Sequence, residues 1–137
     1  MAAWLLKSEP SEYSYDDLEK EGRSEWDGVK NAQAQIHLRA MQEGDTCVIY
    51  HSMKERAAIG IARIVRAPYP DPTDETGRRV WVDIQAVRKL GRPVTITELK
   101  AEPEFATSEL VRISRLSVQK LTDTQLAIIE RLAATPK

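Results

Sequence analysis

Apolar residues along the chain follow two rhythms, and the changes between them set out the elements. Runs rich in β-branched residues, "DTCVIYHS" (45–52), "AAIGIARIV" (57–65) and "RVWVDIQAVRK" (79–89), predict strands. Residues 4–7 and "ISRLSVQ" (113–119) add two shorter ones. Three helix starts share one signature. Ser14-Tyr-Asp-Asp17, Thr95-Ile-Thr-Glu98 and Thr122-Asp-Thr-Gln125 each place a hydroxyl at the N-cap and an acceptor three residues on. Each start also carries an apolar pair spaced as a staple: Tyr13 with Leu18, Val94 with Leu99, Leu121 with Leu126. A fourth helix is predicted over 31–43, with Ala34, Leu38 and Met41 on one face and Gly44 as its stop.

About five strands interrupted by helices at irregular intervals give an α+β protein rather than a βαβ repeat. The expected architecture is a small mixed or closed sheet with peripheral helices. Pro68 to Pro72, followed by Asp74 to Gly77, reads as a surface loop. No internal repeat or low-complexity tract divides the chain, so residues 1–137 read as a single domain.

Composition narrows the class. A hydrophobic content of 42%, a charged content of 30% and a net charge of -1 fit a soluble globular protein. No stretch is long enough to cross a bilayer, and "MAAWLLKSEP" lacks the basic region of a signal peptide, so the expectation is a cytoplasmic protein without membrane contact. Cys47 stands alone, which leaves neither an internal disulfide nor a cysteine pair for a structural metal. Charge is unevenly spread. Residues 1–30 hold four Lys/Arg against eight Asp/Glu, whereas 78–92 hold five against one. That second segment reads either as a solvated strand edge or as a basic strip for polyphosphate.

Enzyme chemistry finds little support. Cys47 and His51 share one strand and one face, but about 13 Å separates them, too far for a nucleophile and its base. His37 has no second histidine at ligand spacing, and no glycine-rich phosphate loop is present. The unusual feature is where polar residues fall. Lys7, Ser8 and Glu9 end the first strand; Tyr50, His51 and Ser52 end the second. Arg115 and Ser117 interrupt the late strand, and "WDGVKNAQ" sets Trp26, Asp27, Asn31 and Gln33 ahead of a helix. Converging, these groups would suit a planar, hydrogen-bonding ligand such as a nucleobase. Each also has a plain structural role: Trp26 as a core indole, Asn31 as a helix cap, Ser8 bonding local backbone, Arg115 in an ion pair. Because Tyr50 and His51 alternate faces, one is expected in the core and the other in solvent.

Read in order, "WLLKSEPSEYS", "WDGVKN", "YHS", "APYPDPT", "VRKLGRPVTITELK" and "RLSVQ" resemble the EVE domain family, from Trp4 to about Leu132. The resemblance implies a PUA-like fold related to YTH domains: a small, curved mixed β-barrel of about five or six strands with peripheral helices. It further implies a nucleic-acid-binding module, for DNA or RNA, that recognises a modified base such as a 5-modified cytosine rotated out of the stack. On the family pattern Trp26 flanks the base, while Lys7, Ser8, Asn31, Tyr50, His51 and Ser52 line the pocket. Arg115, Leu116 and Ser117 close it. Lys30, with Arg78, Arg79, Arg88 and Lys89 of the basic strip, are the phosphate-contact candidates. No cofactor or metal is implied. The chain has Ala32 where many relatives have an aromatic, Met53 where they have a polar residue, and Gln35 where they have a base. Two other readings stay open. One is an enzyme on modified nucleotides or nucleic acid with His51 or Glu9 as acid/base; the other is a small-ligand or protein-binding domain without base recognition.

Overall fold

The computed structural model describes residues 2–26, 29, 31–52, 56–106, 108, 110 and 116–135. Six strands make one mixed sheet: β1 (Ala3–Ser8), β2 (Arg23–Trp26), β3 (Thr46–His51), β4 (Ala57–Pro70), β5 (Val80–Thr95) and β6 (Val118–Leu121). Their order across the sheet is β2-β5-β4-β3-β1-β6. β1 runs parallel to β3; every other pair is antiparallel. No ladder joins β2 to β6 among the described residues, so the sheet is open rather than closed into a barrel. Register shifts along the long β4–β5 pair supply the bends that curve it.

Both faces of the central strands are buried, which is why their sequences are unbroken apolar runs instead of alternating ones. Trp4, Leu6, Cys47 and Ile49 point into one core with Tyr15 and Leu18 of α1 (Tyr15–Glu21) and Ala34 and Leu38 of α2 (Ala32–Ala40). Ala3, Leu5, Val48 and Tyr50 point into the other. There they meet Leu99 of α3 (Ile96–Lys100), Phe105 of a 3-10 turn, and Ile129 and Ala133 of α4 (Asp123–Ala134). All three capping boxes form as expected, at Ser14, Thr95 and Thr122.

Four boundaries differ from the sequence expectation. β2 was not anticipated: "RSEW" has no apolar alternation and gains strand form only by pairing along β5. Pro68 and Pro70 belong to β4 rather than to a loop, because the ladder is bulged there and asks little of their missing N–H groups. Helix α2 stops at Ala40, since Met41 turns extended and buries itself in the first core; Gly44, at φ 95, instead serves the tight turn into β3. The late strand begins at Val118, so Leu116 and Ser117 precede it, and 113–115 lie outside the described residues.

The turn from β5 into α3 couples the fold to pH. Arg92 grips Glu98 with two parallel bonds, Nη1 to Oε1 at 2.9 Å and Nη2 to Oε2 at 2.7 Å, while Thr95 N–H also donates to that carboxylate. The guanidinium, followed by the Thr95 donors, holds the Glu98 carboxyl at about 2. A carboxyl depressed in the folded state stabilises fully above its ordinary value and loses that contribution as pH falls toward the folded one. Urea midpoints are therefore expected to drop between about pH 4.5 and pH 2, and Glu98→Gln to flatten that slope. Asp74, also held at about 2, leaves part of the slope in the variant. An unaltered profile in Glu98→Gln would remove the assignment.

Candidate functional site

Parallel pairing of β1 with β3 brings their ends together, placing Lys7 beside Tyr50 and Ser8 beside His51. The sequence-predicted group at these ends is therefore assembled by one ladder. Its members divide between the two faces of the sheet.

On the second-core face, the Lys7 ammonium lies 5.7 Å from the centre of the Tyr50 ring. Burial pushes the Lys7 amine below its usual value and the Tyr50 hydroxyl up to about 12, the latter opposed in part by Arg56. The Lys7 N–H donates to Ser117 O at 2.8 Å, which ties the segment before β6 to this end of β1.

On the first-core face the polar groups hold one another. Ser8 Oγ donates to Tyr13 O at 2.5 Å, and Ser52 N–H donates to Ser8 O at 3.0 Å. The Tyr15 N–H, at the start of α1, donates to His51 Nε2 at 3.0 Å. That bond requires a lone pair on Nε2, so the imidazole is neutral, with its proton on Nδ1. His51 is buried like Tyr50, which overturns the expectation that one of the two faces solvent: with helices on both faces of β3, neither direction leads to water.

Tyr13, positioned through its carbonyl by Ser8, reaches Trp26 edge-on, with ring centres 6.4 Å apart at 74°. Trp26 is 7% exposed. The Tyr13 hydroxyl is buried and has no hydrogen-bond partner among the described residues; Ser24 and Glu21 lie near it without reaching bonding geometry. Burial raises its pKa above the ordinary phenol value. Tyr13 entered the sequence reading only as a staple residue; its place in "KSEPSEY", between two strand-end polar groups and α1, is the signal that was available.

The remaining positions serve the surroundings of Trp26. Asn31 caps α2, its Oδ1 accepting the Ala34 N–H at 3.0 Å. Buried Gln35 spans from the chain after Trp26 to the start of β5: Nε2 donates to Val29 O at 2.7 Å, and Oε1 accepts from Val80 N–H at 2.9 Å. A basic side chain here could make the first bond but not the second. Leu116 is buried in the first core. Arg115 and Lys30 lie outside the described residues.

The basic strip does not form one surface. Lys89 pairs with Asp16 of α1 at 2.6 Å, and Arg88 pairs with Glu130 of α4 at 2.6 Å, because neighbouring strand residues face opposite ways. Arg78 and Arg79 are exposed at the β4–β5 turn. Asp74 accepts both of their backbone N–H groups, leaving the guanidiniums outward. Among the described residues no group of three or more His, Cys, Asp or Glu could hold a metal ion.

A family model, the EVE domain, matches residues 2–132. Human thymocyte nuclear protein 1 is 32% identical over 160 residues, covering 92% of this chain and 71% of its own length. A Rhodopseudomonas palustris protein solved by NMR is 43% identical, with a TM-score of 0.91, covering 97% of this chain and 93% of its own. The crystal structure of human THYN1 protein in complex with 5-methylcytosine-containing DNA superposes with a TM-score of 0.91 at 30% identity, covering 100% of both chains. These likenesses confirm the expected α+β, PUA-like fold.

Proposed function

Because this chain belongs to the EVE domain family, we propose that it is a nucleic-acid reader that accepts a modified base, with 5-methylcytosine in DNA as the first ligand. The observation that carries this reading is similarity, over the whole of this chain, to a crystallised chain bound to 5-methylcytosine-containing DNA. A duplex base would be rotated out at an unstacking cost of a few kcal/mol, offset by stacking and by hydrogen bonds to its edge. Trp26 would supply the stacking face. The Tyr13 hydroxyl, which lies beside Trp26, and Ser52 would supply hydrogen bonds to the edge. An imidazole whose Nε2 already accepts the Tyr15 N–H favours binding over acid–base turnover.

Binding to duplexes carrying one 5-methylcytosine or one cytosine at the same position tests this by fluorescence anisotropy. The methylated duplex is expected to bind more tightly. Trp26→Leu keeps an apolar group in the core but removes the stacking face, and should weaken methylated binding by about 10- to 100-fold. A folded Trp26→Leu protein with wild-type affinity for the methylated duplex would refute the pocket assignment.

A further inference from the structure

β2 is an edge strand with two chemically different faces. Trp26 turns inward to the first core, whereas Arg23 and Glu25 point the other way, where the register aligns them with β5 and β4. Arg23 lies across from Gln85, and Gln85 across from Arg63; Glu25 lies across from Asp83, and Asp83 across from Arg66; Trp81 lies across from Tyr69. Cross-strand partners share a face, so these residues form one surface of three strands. Their immediate neighbours Val82, Ile84 and Ile64 are buried in the first core on the reverse side.

The chemistry of this surface is unlike that of a solvated sheet back. The Arg66 guanidinium sits 3.7 Å from the centre of the Tyr69 ring, and Trp81 meets Tyr69 edge-on at 6.3 Å. Tyr69 in turn donates to Asp83 Oδ1 at 2.6 Å, while Arg23 donates to Oδ2 at 3.1 Å. Both oxygens of the carboxylate are thus engaged, and its side chain is only 12% exposed. Arg63 and Arg66 are exposed and have no carboxylate partner among the described residues. A guanidinium set over a phenol ring on an exposed side chain keeps donors in water, an arrangement suited to phosphate. Aromatic rings interleaved with exposed arginines are the composition of a single-strand or backbone contact surface.

We propose that this outer face of β2–β5–β4 is a second nucleic-acid contact, with Arg63 and Arg66 on phosphates and Trp81 stacked against a flanking nucleotide. It rests on the reading that the chain binds nucleic acid. A strand held at Trp26 reaches the outer face by passing around the β2 edge.

The test is the salt dependence of anisotropy for methylated and unmethylated duplexes, comparing wild type with Arg63→Gln/Arg66→Gln. The variant is expected to weaken both duplexes by about tenfold, to lower the slope of log affinity against log salt by about two, and to leave methyl preference intact. Unchanged slope and affinity would overturn the outer-face contact while sparing the pocket. A wild-type protein without methyl preference would instead overturn the pocket reading; a reduced slope in the variant would still support the outer face.

Discussion

Replacing Asp45 with alanine is expected to destabilise the protein by about 4 kcal/mol, read as a fall in Tm of roughly 10–15 °C. Asp45 is 3% exposed and gathers three donors. Its Oδ2 accepts the Trp4 indole N–H at 3.0 Å and the Gln42 N–H at 2.9 Å, while Oδ1 accepts the Ala2 N–H at 3.3 Å. The turn before β3 is thereby tied to the start of β1. Alanine would leave the buried indole N–H without an acceptor, and charge-assisted bonds of this kind contribute about 1.5–3 kcal/mol each. Asp45→Asn provides the control. Its carbonyl can replace Oδ2 and keep two bonds, so a loss of about 1–2 kcal/mol is expected. Equal losses in the two variants would show that the carboxylate matters for its charge and not for its acceptor geometry.

Gly60→Ala should cost about 3 kcal/mol, measured by urea denaturation, although it adds a single methyl group. A Cβ at Gly60 would lie only 2.4–2.6 Å from three carbons of the Tyr15 ring, far inside van der Waals contact. The ring cannot retreat freely, because Tyr15 is fully buried and its hydroxyl donates to Ile61 O at 2.7 Å. Tyr15 also starts α1 and supplies the N–H held by His51, so displacement would reach the strand-end site. The double variant Gly60→Ala/Tyr15→Ala separates causes: once the ring is gone the added methyl should cost nearly nothing further. Additive losses would point to strain in β4 itself.

Local chemistry carried most of what could be read from the sequence. The capping boxes at Ser14, Thr95 and Thr122 depend on residues three positions apart and appear where expected. Strands buried on both faces announced themselves by unbroken apolar runs. The hidden elements depend on distant partners. "RSEW" becomes a strand only because β5, some 60 residues later, offers it an edge, and the prolines of β4 stay in the ladder only because its register shifts beside them. At the site, the clustering of polar residues at the ends of β1 and β3 was legible, since parallel pairing of two such strands was enough to bring them together. Their division of labour was not. Ser8, Asn31 and His51 hold backbone groups in place, and Tyr13 reaches Trp26 through a loop conformation no spacing rule encodes. Arg88 and Lys89 are neighbours in the sequence yet pair with helices on opposite faces, a separation that period-two geometry alone foretells once the strand is known.

The position of β1 between β3 and β6 has a consequence for synthesis. Residues 3–8 emerge before the other strands of the sheet, but one of their two hydrogen-bonding edges has no partner until residues 118–121 leave the ribosome. Until then the nascent chain can build the β3–β4–β5 side of its sheet while an apolar strand edge stays uncapped. A chain interrupted before Val118 would be left with that edge permanently open, a template for pairing with its own copies, so premature termination there yields an aggregation hazard rather than a merely shortened protein.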